Sequence, residues 1–194
     1  MEWAIVGVVG LAWVDESFAD DIYIFGAVVF QANEVDDARS AALDLKHPGE
    51  TKAHWYSRVR KQRNVMVDVL TTLSPAKIVV ARLPIVGESS ERQRRKCLGL
   101  LLPALASTGV SVATFESRGP KDDQRDRDML SALRRQHLIG SALKMGHARG
   151  TDEPLLWLAD ALCGAVMADR RGETMWWEPL RKTTEVITVD GREQ

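Results

Sequence analysis

Three acidic residues stand where phosphoryl chemistry would want them: Asp15 closes the apolar run GLAWV, Glu116 closes VSVATF, and Asp160 lies inside LLWLADALCGAV. Grouped carboxylates are hard oxygen donors for Mg2+ or Mn2+, and two such ions about 4 Å apart can stabilise the attacking and leaving oxygens of a phosphodiester. Asp15, Glu116 and Asp160 are the expected metal ligands and catalytic residues, with Glu16 and Glu50 as supplementary ones. Each acid taken singly has a plainer explanation, as a turn former, a partner for Arg118 or a solvated helix residue. Their combination carries weight only if the fold brings them together.

Cations and aromatics cluster after Glu50. Lys52, His54, Trp55 and Tyr56 precede Arg58, Arg60, Lys61 and Arg63. That mixture suits single-stranded nucleic acid, cations meeting phosphates and rings meeting bases, although a solvated helix face would read the same way. Lys52 or Arg118 would neutralise a phosphate, and His54 would carry a proton. His147 is a weaker candidate for that role, and the run Arg92, Arg94, Arg95, Lys96 reads as a solvated helix face.

The positioning elements follow from periodicity. The run ending VGLAWVDES and the stretch Ile22 to Phe30 have strand composition, with Asp20 and Asp21 as the turn of a hairpin that puts Asp15 at the carboxyl end of its first strand. Two helices follow, over Asn33 to Leu45 and Ser57 to Leu73, the second burying Val59, Met66, Leu70 and Leu73. KIVVARLPIV then reads as a buried strand ending near Pro84. The next helix opens on a Ser90, Gln93 capping box, should kink or shorten at Pro103, and closes at Gly109. Val110 to Glu116 is a strand, Asp122 to Arg135 a helix, and His137 to Met145 a weak strand. The last helix starts near Thr151 with Pro154 in its first turn, buries Leu155, Ala159, Leu162, Cys163 and Val166, and stops at Gly172. Asp160 falls at the margin of that face, and Gly164 one turn on leaves room for a ligand or a close backbone. EVITV near the end reads as one more edge strand.

With the helical insertion at about residues 33–73 removed, this is the order of an α/β ribonuclease H-like fold: a mixed sheet of about five strands flanked by helices. In that topology the fourth strand lies parallel beside the first, so Asp15 and Glu116 become neighbours at a sheet switch. A length of 194 residues, 45% of them hydrophobic and 27% charged, fits one globular domain over residues 1–194. A net charge of -1 excludes binding of nucleic acid through bulk positive charge and requires local patches. Cys97 and Cys163 lack metal-ligand spacing and read as buried thiols in a reducing compartment. The apolar start follows Glu2 with no basic segment and is too short to span a membrane, so a cytoplasmic location without membrane contact is expected. Trp176 and Trp177 suit either a homodimer contact or the core.

Several of these segments also resemble a known family. Asp15-Glu16-Ser17 followed by YIFGAVVF, Glu50 and Lys52 in GETK, Glu116-Ser117-Arg118, and the late LADALCGAV are similar to a bacterial domain-of-unknown-function family of the ribonuclease H-like superfamily. That family is written with a strand Asp-Glu-Ser, a Glu-x-Lys and a late Leu-Ala-Asp helix, and the likeness runs from Asp15 to about Arg171. The resemblance implies a metal-dependent nuclease or its descendant, with Asp15, Glu116 and Asp160 at the superfamily's acidic positions. The expected function is hydrolysis of DNA or RNA with Mg2+ or Mn2+. The alternative is a domain that keeps the fold, lacks catalysis, and binds nucleic acid or protein.

Overall fold

In the computed structural model, which describes residues 10–189, a hairpin opens the fold: β1 (Gly10–Ala19) pairs antiparallel with β2 (Ile22–Gln31). Asp20 and Asp21 both take positive φ, 54° and 58°, the backbone a two-residue hairpin turn requires. The part of that expected first run before Gly10 lies outside the described residues. Asp15 is not at the end of β1 but at its middle, paired with Gly26, because the hairpin continues four residues beyond it.

β3 (Ala76–Arg82) joins β2 antiparallel, while β4 (Val110–Glu116) and β5 (Lys144–Ala148) run parallel to β1 on its other side. β6 (Thr184–Val189) is the anticipated extra edge strand, parallel to β3. The sheet order is β5-β4-β1-β2-β3-β6, the expected ribonuclease H-like arrangement plus one outer strand. The weak strand lies later than expected: His137 takes a positive φ of 58° and ends a turn, so pairing with β4 starts only at Lys144.

Helices cover both faces. α1 (Val35–Leu43) and α2 (Arg60–Leu73) occupy the segment between β2 and β3. Val59, expected on the buried face of α2, is instead the exposed residue preceding it. α3 (Ser90–Ser107) and α4 (Pro120–Arg135) pack on one face of the sheet. Ser89, not Ser90, caps α3, accepting from the Arg92 N–H at 3.3 Å. Pro103 does not shorten that helix; Gly99, whose carbonyl the proline ring deprives of a donor, is on a partly exposed side where water can serve.

α5 (Leu155–Arg170) packs on the other face, against β1 and β2, and is itself covered by α1, α2 and the turns around Trp55 and Trp176. Every residue from Leu155 to Ala168 is buried, so no single face is the core face. Asp160, the one charged residue in that stretch, is therefore inside the protein and not at a margin. The short α6 (Glu178–Arg181) follows a turn that buries Trp176 and Trp177 in the same core. Among the described residues no helix is long and apolar enough to cross a membrane.

Candidate active site

Strand alternation sends Trp13, Asp15 and Ser17 toward α5 and Val14 and Glu16 toward α3. Opposite Asp15, Gly26 lets α5 descend onto the hairpin: a Cβ there would lie 2.7 Å from Cys163 Sγ and 3.2 Å from the Ala159 carbonyl. Cys163 Sγ donates to the Asp15 carbonyl at 3.5 Å. This close approach holds Asp160, next to Ala159, over β1. On the neighbouring strand the register pairs Val14 with Phe115, so Asp15 and Glu116 come next on adjacent parallel strands.

The loop between α1 and α2 supplies the groups that face these acids. Lys52 Nζ donates to Glu116 Oε1 at 2.8 Å. Gly150 keeps the space for this pair, since a Cβ would stand 2.3 Å from Glu116 Oε1 and 3.2 Å from Lys52 Cδ. Asp160 Oδ2 accepts from the Trp55 backbone N–H at 2.7 Å and lies 2.9 Å from His54 Nδ1. Trp55 is anchored by its own ring, which lies on Gly164: a Cβ at Gly164 would fall 2.3 Å from the indole. The room that Gly164 leaves is thus filled by the protein and not by a ligand.

Charge at this spot is out of balance. Asp15 is 8% exposed, and its carboxyl is pushed well above the ordinary range, first by burial, then by the negative charges of Asp160 and Glu116. Its one hydrogen-bond donor among the described residues is the Glu16 N–H, 2.7 Å from Oδ1. Burial would lower the Lys52 ammonium, but the bond to Glu116 and the surrounding acids hold it above its usual value. The hydrogen bond to Asp160 raises His54 likewise. Three carboxylates thus face one lysine and one histidine.

Carboxylate oxygens are the donor type that Mg2+ and Mn2+ take, and here they are in negative excess, with Asp15 nearly unsupported. Among the described residues no group of three or more His, Cys, Asp or Glu side chains is placed so that it could hold a metal ion.

The remaining candidates lie elsewhere. Glu16 is on the opposite sheet face from Asp15, bound to Arg94 at 2.8 Å and 3.4 Å from Arg118, so strand alternation removes it from the ligand set and carries Arg118 with it. Glu50 is held by both terminal nitrogens of Arg58 at 2.7 and 2.6 Å, which lowers its carboxyl to about 2. Arg58 is buried by that pairing and by the Leu45 carbonyl, and Trp55 is buried against Gly164 and Trp176; neither is open to nucleic acid. Arg60 and Lys61 are exposed at the start of α2. His147 points toward α4 and bonds Asp126 at 3.2 Å, away from the acids.

Three contributors had no clear signal in sequence: Gly150, Gly26 and the Trp55 N–H. Glycines inside a strand or after one mark close approach, which is the available cue for the first two. Tyr56, half exposed, has its hydroxyl 3.3 Å from Ser17 Oγ and its ring centroid 5.8 Å from that of His54, the two rings tilted by 56°.

Among solved structures, the chain is similar to one in the PCNA:RNase HII complex from Archaeoglobus fulgidus, with a TM-score of 0.50, 13% identity, and coverage of 87% of this chain and 76% of that one. The fold is therefore ribonuclease H-like. No family model matches the chain, and no curated protein matches it.

Proposed function

We propose that the protein is a divalent-metal-dependent nuclease hydrolysing phosphodiester bonds of nucleic acid, as a member of the bacterial ribonuclease H-like family its motifs resemble. The observation that carries this reading is the meeting of Asp15, Glu116 and Asp160, from two strands and a buried helix, with more negative charge than the protein neutralises. Burying an acid in the middle of an apolar helix costs stability, and a site that binds cations gives that cost a purpose.

Asp15, Glu116 and Asp160 would hold the ion. When bound, Mg2+ or Mn2+ supplies Lewis acidity and charge neutralisation at the phosphoryl group. Asp160 orients His54 through Nδ1, leaving Nε2 to accept or deliver a proton at the edge of the site. Lys52 fixes the Glu116 carboxylate. Tyr56, Arg60 and Lys61, all exposed, offer a ring face and two cations to the strand.

The test is cleavage of labelled single-stranded and duplex DNA and RNA with Mn2+. Asp15→Asn is expected to abolish cleavage while leaving circular dichroism unchanged. Cleavage surviving in that variant would overturn the proposal. An active-site titration giving no heat with manganese, and no thermal shift, would favour a binding domain without catalysis.

A further inference from the structure

We propose that the cavity beside the hairpin on the α3 side of the sheet takes a guanine base; resting on the nuclease reading, that base belongs to the strand whose phosphodiester meets the acids. The cavity, about 270 Å3, is lined by Glu16, Phe18, Tyr23, Glu91, Arg94 and Arg118. Small-molecule sites run from roughly 300 Å3 upward, so this one has room for a single ring system and not for a whole nucleotide with its phosphate. Its place in the fold ties it to the acids. Glu16 follows Asp15 in β1, and Arg118 stands two residues past Glu116 at the end of β4.

The lining selects the kind of ligand. Two carboxylates, Glu16 and Glu91, balance two guanidiniums, Arg94 and Arg118, so no excess of positive charge draws a phosphate. Arg94 is spent on Asp126 and Glu16. Arg118 is not: its nitrogens stand 3.4 Å from Glu16, 3.7 Å from Glu91 and 4.0 Å from Asp126, all longer than the roughly 2.7–3.2 Å of an N–H···O bond. The turn that carries it is nonetheless fixed, because Ser117 Oγ and the Arg118 backbone N–H both donate to Asp123, at 2.7 and 3.1 Å.

A guanidinium with donors to give, a carboxylate beside it and an exposed ring at the rim match guanine. O6 and N7 accept from arginine, N1–H and the N2 amino group donate to a carboxylate, and the ring plane stacks on an aromatic face. Phe18 supplies that face: it is 47% exposed and backed by Tyr23, with ring centroids 5.9 Å apart. Adenine puts an acceptor at N1, where Glu91 needs a donor. Cytosine has neither N7 nor the paired donors.

Fluorescence anisotropy in chelator buffer, with labelled single-stranded DNA hexamers that differ at one central base, tests this without cleavage. The guanine hexamer is expected to bind about tenfold or more tightly than the adenine one, with hypoxanthine, which lacks the N2 amino group, between them. Arg118→Met and Glu91→Gln should each erase that preference and leave the affinity of the adenine hexamer unchanged, whereas a purely structural role would weaken all three alike. Equal affinities in wild type, a preference that survives in both variants, or no binding of any hexamer would overturn the inference. The same hexamers with Mn2+ separate the two readings: cleavage indifferent to the base would remove the pocket and keep the nuclease, and guanine preference without cleavage would do the reverse.

Discussion

On the α5 side of the sheet, Asp15, Glu116 and Asp160 crowd around a single lysine and a histidine; on the α3 side, just through the sheet, Glu16, Asp123 and Asp126 meet Arg94, Arg118, His147 and Ser117. The inventories are alike, and the outcomes are opposite. Burial alone would raise the Asp126 carboxyl, yet hydrogen bonds from His147 and Arg94 hold it below the ordinary range. Asp15 is buried too, but its neighbours are acids, and it is driven upward. Arg94, 2% exposed, binds Asp126 with two nitrogens and Glu16 with a third, and lies over the Phe25 ring at 5.1 Å. One cluster has its acids paired. The other is left short of positive charge, with a strongly shifted carboxyl at its centre.

This contrast is broken most severely through Arg94. Arg94→Met strands the buried Asp126 and should cost about 3–5 kcal/mol, visible in urea unfolding. Next is Gly164→Ala, which drives a methyl into the buried Trp55 ring and should cost about 1–3 kcal/mol while loosening the N–H that holds Asp160.

Asp15→Asn should act in the other direction and stabilise the metal-free fold. Because the folded-state pKa of Asp15 is raised, the fold binds that proton more tightly than the unfolded chain does. Wild type therefore loses stability as pH climbs from the unfolded value, about 3.9, through the raised folded one. The advantage of Asn should be absent near the lower limit and grow with pH, to roughly 2–4 °C in melting temperature per kcal/mol. Saturating Mn2+ should reverse the order, stabilising wild type alone. An Asn variant less stable than wild type in metal-free buffer at pH 8 would contradict the imbalance. The smallest effect belongs to Arg60→Glu with Lys61→Glu, which should weaken oligonucleotide binding and lower its salt dependence while changing stability by less than about 0.5 kcal/mol per substitution.

Much of the scaffold is readable from residues alone. β4 is bounded by Gly109 and by the polar Ser117-Arg118-Gly119 run, and its limits Val110–Glu116 follow from composition. The Asp20, Asp21 turn and the strand at EVITV are equally local. The three acids stand out in the sequence as carboxylates set against apolar runs, but their surroundings do not. Asp15 reads as a strand end because its polar neighbours Glu16 and Ser17 resemble a turn, whereas Arg94, distant in sequence, is what lets Glu16 sit inside the sheet's cover. Asp160 reads as marginal because helical periodicity assumes one wet side, and α5 has none. Arg58 and Trp55 read as a binding surface until Glu50 and Gly164 claim them. Glu50 is only eight residues from Arg58, but the partners of Glu16, Trp55 and Asp160 lie far off in the chain, where no window of sequence contains them.

The most direct measurement is a crystal structure grown with Mn2+ and its anomalous difference map, comparing wild type with Asp160→Asn. The expected result is one peak within bonding distance of Asp15, Glu116 and Asp160, absent from the variant. A wild-type map with no peak there, or with manganese bound only on the α3 side, would contradict the convergence on which the functional reading stands.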